Sequence, residues 1–268
     1  MPVVFGRYFA AKIGFRRGHA KLIYRRDIDA FFITVAADLP EEEMIDPKGW
    51  LGVDVGIANI AVDSLGNVYN GEDVLKKREH LKELRRSLQR KKALKRKFGQ
   101  DNRSIRCAFD RIRRRERNFV KTTTRTIAKR IVADARALSF GIALEDLKGA
   151  RERTTAKVRK RQRYLQSCWS YHTLQRFIAY KAALQGVPVV FVDAPYSSQT
   201  CPHCGFCHRS NRPSQSEFKC RQCGYSAHAD YVAALNLVLK ARVAVSQPQM
   251  PERSDPSQGK LSASADSS

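Results

Sequence analysis

The chain opens with short alternations of apolar and polar residues. KLIYRR (21–26) and DAFFITVAADL (29–39) follow a period near two, which predicts antiparallel strands with one buried face. EEEMIDPKG (41–49) reads as a connecting loop. WLGVDVGIANIAVDSLGNVYNGE (50–72) gives an apolar strand, a second strand, a Leu-Gly-Asn turn at 65–67 and a third short strand. From residue 73 the period changes. Residues 73–98 hold Lys, Arg, Leu and Glu without Gly or Pro and predict a helix, interrupted from Gly99 to Ser104. Ile105 to Leu138 predicts a second helix, with Ile112, Phe119, Ile127 and Ile131 on one stripe. FGIALEDL (140–147) is a nearly continuous apolar strand ending in acids, and 149–163 is predicted as a loop or frayed helix. Tyr164 to Gln185 is amphipathic (Leu165, Trp169, Leu174, Phe177, Ile178) and stops at Gly186. VPVVFVDA (187–194) is a further strand, and Asp230 to Arg242 a short helix with Val232, Leu235 and Leu239 inward. From Ser246 the Ser, Pro, Gln and Asp content predicts a disordered tail.

Three early strands followed by helix–strand–helix–strand–helix describe an α/β fold whose sheet mixes antiparallel and parallel pairing. With 268 residues and 43% hydrophobic content, the chain can bury a core, which excludes a wholly disordered basic tail. No run of about 18 apolar residues is present, so no membrane span is expected. The start, MPVVFGRYFAAKIGFRRGHAK, carries charges where a signal peptide needs an apolar centre, so a cytoplasmic chain is expected.

Charge narrows the partner. The formal net charge is +24, and residues 76–117 alone carry 19 Lys and Arg against 5 acids. Residues 151–163 add 7 basic residues and one acid. A solvated helix face is the usual meaning of a charge run, but here too few acids exist to pair the repelling i, i+4 cations. The compensating partner is therefore expected to be polyanionic, and nucleic acid fits best, in a nucleoid-associated protein. The basic segments are too poor in Trp, Phe and Leu to enter lipid. Arg85, Arg86, Lys91, Lys92, Arg113, Arg114, Arg159 and Lys160 are candidate backbone contacts.

Cys201-Pro-His-Cys204 and Cys220-Arg-Gln-Cys223 are two C-x-x-C knuckles, each followed by a glycine (Gly205, Gly224). Four thiolates at this spacing predict one tetrahedral structural Zn²⁺ in a reducing compartment, with no position left open for catalysis. Cys207 and His208 are expected to be loop residues outside the set, and Cys107 and Cys168 to be core.

Catalytic chemistry must then come from elsewhere, and three carboxylates stand out. Asp54 sits within the apolar strand GVDVG (52–56), Glu145 ends the strand GIALE, and Asp230 opens the last helix. Carboxylates at strand and helix ends suit Mg²⁺, and paired metals suit phosphodiester cleavage. Each also has a plain structural reading: Asp54 paired with a buried Arg, Glu145 an exposed strand end, Asp230 a helix N-cap. Asp63, Asp146 and Asp193 are of the same kind.

The order of GVDVGIANIA, RERNFVKTTTRTIAKRIV (115–132), IALEDLKG (142–149), the cysteine ribbon and DYVAALNL (230–237) resembles the transposon-encoded TnpB (OrfB) proteins, RNA-guided DNA nucleases akin to type V CRISPR effectors. The resemblance runs from about residue 20 to 240. It implies an RNase H-like (RuvC) nuclease with a zinc ribbon inserted before its last helix, two Mg²⁺ ions, a guide RNA and a DNA target. Asp54, Glu145 and Asp230 match the family's catalytic acids, YSSQTCPHCG (196–205) its approach to the ribbon, and Asn118 and Lys121 its nucleic-acid-facing helix. Val232 stands where the family usually has Asn, while Asn236 is kept. About 50 residues precede Asp54, fewer than in most relatives, so an N-terminally truncated copy is expected.

The implied organisation is a partial N-terminal β segment (1–45), a nuclease domain (46–196 and 229–242) with a basic helical insert (73–138), a zinc ribbon (197–228) and a tail (243–268). A metal-dependent endonuclease is the leading function. A catalytically idle RNA- or DNA-binding remnant is the alternative, and a stand-alone zinc-ribbon adaptor leaves the basic helices unexplained.

Overall fold

Alternation along residues 49–54 and 140–145 puts Leu51, Val53, Ile142 and Leu144 on one face of a sheet and Trp50 and Ala143 on the other, in separate apolar clusters. The computed structural model describes residues 4, 6–25, 28–40, 42–56, 59–147, 171–193 and 195–246. After a short helix α1 (Arg7–Ala10), strands β1 (Arg16–Arg25) and β2 (Ala30–Ala37) form a two-stranded ribbon. The main sheet has five strands: β3 (Gly49–Asp54), β4 (Asn59–Asp63), β5 (Val68–Asn70), β6 (Phe140–Glu145) and β7 (Val189–Val192). Their spatial order is β5-β4-β3-β6-β7. β3, β4 and β5 form an antiparallel meander, while β6 and β7 run parallel to β3. This is the RNase H-like mixed sheet that the resemblance implies.

Two helices supply most of the charge. α2 (Glu72–Lys97) has Glu72 and Asp73 in its first turn and Lys95, Arg96 and Lys97 in its last, both matched to the helix dipole. α3 (Arg103–Ala137) is 35 residues long, about 50 Å at 1.5 Å per residue, and does two jobs. Ile105 and Ile112 are buried in its N-terminal half, which packs on α2, whereas Ile127, Ala128, Ile131, Val132 and Ala135 join the main core over β3 and β6. α4 (Tyr171–Ala183) lies beside α3 on that face through Leu174, Ile178 and Ala182. α5 (Ala229–Ser246) covers the opposite face, where Leu237 and Ala241 meet Trp50, Ala143 and Val192.

Close approach of α5 depends on Gly52. A Cβ there would stand 2.0 Å from the Ala234 carbonyl oxygen. The Ala234 oxygen is helix backbone and cannot swing aside, so Gly52→Ala is expected to destabilise the fold by roughly 1–3 kcal/mol or more, as a lower denaturant midpoint at unchanged slope.

Three expectations are corrected. Neither β1 nor β2 has a buried face: Leu22, Tyr24, Phe31 and Ile33 are all exposed, because no described element covers the ribbon. Cys107 is exposed rather than core, since it lies about 200° of helical rotation from Ile105, on the opposite side of α3. α5 starts at Ala229 and continues to Ser246, so helix occupies the first residues assigned to the tail. The basic segment 149–163, Cys168, and residues 247–268 lie outside the described residues.

Candidate active site

The parallel register of β3 and β6 reaches Val53 opposite Leu144, and its continuation sets Asp54 beside Glu145 at the carboxyl ends of both strands. That edge is where open α/β sheets place their ligands. Period two turns both acids to the α5 side. Asp230 stands in the first turn of α5, so the helix that Gly52 admits brings the third carboxylate to the same place. Asp54, Glu145 and Asp230 line one cleft of about 520 Å³, together with Asn59, Tyr196, Arg212 and His228.

Too little positive charge offsets these acids. The Asp54 carboxyl is pushed up to about 7, first by burial, then by the charges of Asp230 and Glu145, against the opposing pull of Arg212. Asn59 Nδ2 donates to Asp230 Oδ2 at 3.2 Å, Arg212 Nη2 stands 4.0 Å from the carboxylate, and His228 Nδ1 accepts from the Asp230 N–H at 3.3 Å. Glu145 is held through its backbone, where its carbonyl accepts a 2.7 Å hydrogen bond from the buried Gln175 amide. An all-oxygen donor set in a negative, half-buried cleft fits a hard divalent cation. The three carboxylates do not gather as tightly as the cysteine sulfurs below, which form the one such group within 4.8 Å among the described residues.

A pH dependence follows. Asp54 titrates near 7 in the fold and near 3.8 unfolded, so the native state holds the extra proton between those values and stability falls as pH rises through that window. Without added Mg²⁺, thermal midpoints should drop between pH 5 and pH 8 more in the wild type than in Asp54→Asn. Added Mg²⁺ should narrow that difference.

Asp63 takes a structural place. Asp63 is fully buried, but its carboxylate accepts from the Leu65 and Asn67 backbone N–H groups, the Asn67 amide and the Tyr69 hydroxyl, closing the β4–β5 turn. The Asp146 N–H donates to the Val192 carbonyl, and the Asp193 carbonyl accepts from Lys240. Asn59, Arg212, His228 and Tyr196 escaped sequence reasoning as cleft residues. Asn59 was in view within GVDVGIANIA, but nothing in its spacing marks it as facing a residue 171 positions away.

The four cysteines form a metal site. Cys201 Sγ lies 3.6 Å from Cys223 Sγ, Cys204 Sγ lies 3.5 Å from Cys220 Sγ, and all four are mutually within 4.8 Å. Sulfurs at about 2.3 Å from a tetrahedral Zn²⁺ are about 3.8 Å apart, so the set fits zinc. Gly205 and Gly224 both adopt φ of +76°, which lets their N–H groups close the knuckles onto the Cys201 and Cys220 carbonyls. Cys207 and His208 lie outside the set; His208 Nδ1 instead accepts from the Ser210 N–H. The cluster is joined to the cleft. Phe218 on β8 (Glu217–Lys219), which pairs with β9 (Ser226–His228), packs with Cys201, Cys220, Ala229 and Val232, the latter two flanking Asp230. Asn236 Nδ2 ties α5 to the Ser197 and Thr200 carbonyls at 2.6 and 2.8 Å.

Of the candidate nucleic-acid contacts, Arg86, Lys91, Lys92, Arg113, Asn118 and Lys121 are exposed on α2 and α3, and Arg114 is half-buried. Arg85 is drawn into the α2–α3 seam, where it and Arg78 both pair with Glu116. Arg159 and Lys160 lie outside the described residues. No helix among the described residues is long and apolar enough to cross a membrane.

Two family models match. "Probable transposase" (OrfB_IS605) covers residues 34–135, including Asp54 and both basic helices. "Cas12f1-like, TNB domain" covers residues 171–237, including the four cysteines and Asp230. The chain is similar to the TnpB/Cas12f-like family across both matches. Among the family's curated members, it is 30% identical to a CRISPR-associated endodeoxyribonuclease Cas12f1 of Sulfoacidibacillus thermotolerans over 82% of this chain and 52% of that protein. It is 28% identical to a TnpB-like protein of Methanocaldococcus jannaschii over 81% of this chain and 78% of that one. The fold matches a Cas12f1–sgRNA–target DNA complex with a TM-score of 0.56 at 21% identity, over 80% of this chain and 54% of that one. The chain thus spans about half the length of the Cas12f1 relatives it resembles, and about three quarters of the archaeal TnpB-like protein.

Proposed function

We propose that this chain is an RNA-guided DNA endonuclease, hydrolysing phosphodiester bonds at a divalent-metal site held by Asp54, Glu145 and Asp230. The observation that carries this reading is the meeting of three carboxylates, from β3, β6 and α5, in one cleft at the carboxyl edge of the sheet. The mutual repulsion that raises the Asp54 carboxyl to about 7 is what a bound cation relieves. Relatives named as endodeoxyribonucleases support the chemistry, and a structural neighbour solved with sgRNA and target DNA supports the partners.

In this mechanism Asp54, Glu145 and Asp230 would hold Mg²⁺, an ion that prefers oxygen donors such as these carboxylates. When bound, the metal supplies a hydroxide nucleophile and stabilises the leaving 3′ oxygen. Ionised Asp54 is the competent ligand, so protons and Mg²⁺ compete for it, and the Mg²⁺ concentration needed for half-maximal activity should rise as pH falls below about 7. The exposed cations of α2 and α3 bind sugar-phosphate backbone without reading bases, leaving sequence choice to the guide. Residues 46–196 and 229–242 constitute the nuclease domain, 197–228 the zinc ribbon, and 1–45 a β segment before them.

The test is purification of the chain with its bound RNA, sequencing of that RNA, and a cleavage assay on DNA complementary to it. Cleavage in Mg²⁺ that is absent when Mg²⁺ is omitted is the expected result. Defined RNA and bound but uncut DNA would instead favour an idle binding protein.

A further inference from the structure

Asp230 is the acid whose position rests on helix docking rather than on the sheet, and its carboxylate receives one side-chain hydrogen bond of ordinary length from another element. Asn59, the first residue of β4, supplies it: Nδ2 to Asp230 Oδ2 at 3.2 Å. Arg212 Nη2 stands at 4.0 Å, beyond hydrogen-bond range, and His228 Nδ1, also 4.0 Å from the carboxylate, accepts instead from the Asp230 N–H. Asn59 is half-buried, lines the same cleft, and its main-chain oxygen lies 3.1 Å from where a Cβ of Gly56 would be, so Gly56 approaches it closely.

We infer that Asn59 is a positioning residue for the metal site, orienting the Asp230 carboxylate so that it can serve as a ligand; the inference rests on the function proposed above. Two properties suit an asparagine here. Its amide donates a hydrogen bond but brings no charge, so it leaves the negative field of the cleft intact for a cation. A lysine or arginine at the same distance would neutralise Asp230 and compete with the metal. An aspartate would have no proton to donate and would add a fourth negative charge beside Asp230, Glu145 and Asp54. The hydrogen bond also joins β4, on the antiparallel side of β3, to α5, which otherwise meets the sheet through apolar packing. The Asp230 side chain is thus fixed from the sheet, as Asp54 and Glu145 are by their strands. Partners that hydrogen-bond ligating carboxylates in this way typically change metal affinity by about 10–100-fold when removed.

The experiment titrates Mn²⁺ calorimetrically into the zinc-loaded full chain, comparing wild type, Asn59→Ala, Asn59→Thr, Asp230→Asn and the Asn59→Ala/Asp230→Asn double variant. Asn59→Ala and Asn59→Thr should each weaken Mn²⁺ binding by about tenfold or more. Asn59→Ala should have no further effect once Asp230 is Asn, because the residue acts through that carboxylate. Thermal midpoints without added Mn²⁺, and zinc content, should change little; threonine keeps the β-strand preference in case alanine disturbs β4. Unchanged Mn²⁺ affinity in either folded Asn59 variant overturns the inference, as does an equal loss in the Asp230→Asn background. A wild-type chain that binds no Mn²⁺ would instead overturn the metal-site reading beneath it, so the two failures are distinguishable.

Discussion

Asn in place of Asp54 should abolish cleavage while making the protein more stable at neutral pH. The two effects share a cause. The Asp54 carboxyl is pushed up to about 7 by burial and by its negative neighbours. Above that pH the protein carries an ionised group that it would hold more easily in water, and an amide of the same shape removes the penalty. The thermal midpoint of Asp54→Asn at pH 8, without added Mg²⁺, should therefore exceed that of wild type by several degrees. The same amide is a poor ligand for Mg²⁺. A bound metal contributes several kcal/mol of transition-state stabilisation, and each 1.4 kcal/mol is tenfold in rate, so cleavage should fall by on the order of a thousand-fold or more. Guide and target binding should be unchanged, since the exposed cations of α2 and α3 do not touch this residue. Opposite movements of stability and activity separate a ligand strained for function from a residue needed for folding. An Asp54→Asn protein that cuts as wild type does, or that melts lower, would remove Asp54 from the site.

How far the sequence led depended on the range of the interaction. The apolar runs in GWLGVD and FGIALE were enough to mark Asp54 and Glu145 at strand ends, but that they share a face is set by the β3–β6 register, which the runs do not encode. The knuckle spacing was equally local and identified the four cysteines that the fold gathers. Asp230 beside them required knowing that α5 crosses the sheet at Gly52, a contact between residues 182 positions apart that no periodicity encodes. Asn59 and Arg212 were invisible for the same reason. The β1–β2 ribbon shows the converse failure: apolar strand residues predict a pairing correctly, but burial depends on a covering layer that strand pattern cannot supply. Charge counting likewise found the basic helices but not which cations are committed. Glu116, one of five acids between residues 76 and 117, draws Arg78 and Arg85 inward.

Loss of the zinc site should silence the same chemistry by a different route. Cys220→Ser removes one of four thiolates, and Cys220 is also buried against Phe218 and the start of α5. Zinc contributes roughly 10–16 kcal/mol of apparent binding free energy in small zinc-finger peptides, which compares with the roughly 5–15 kcal/mol that holds a whole domain folded. A segment with the two short strands β8 and β9 and one main buried aromatic cannot replace that contribution. The ribbon should therefore lose its structure. With it goes the packing of Ala229 and Val232 that sets Asp230, as well as Arg212 and His228 on the cleft wall. The expected result is a protein without stoichiometric zinc, inactive to the same degree as Asp54→Asn, but melting lower rather than higher. Hydrogen exchange should rise across residues 197–236 while α3 and β6, buried in the main core, stay protected. A Cys220→Ser chain that keeps one zinc per molecule and full cleavage would show that the ribbon neither needs this thiolate nor supports the carboxylate beside it. Loss of zinc with intact cleavage would separate the two sites, leaving Asp230 held by the sheet side of the cleft through Asn59 alone.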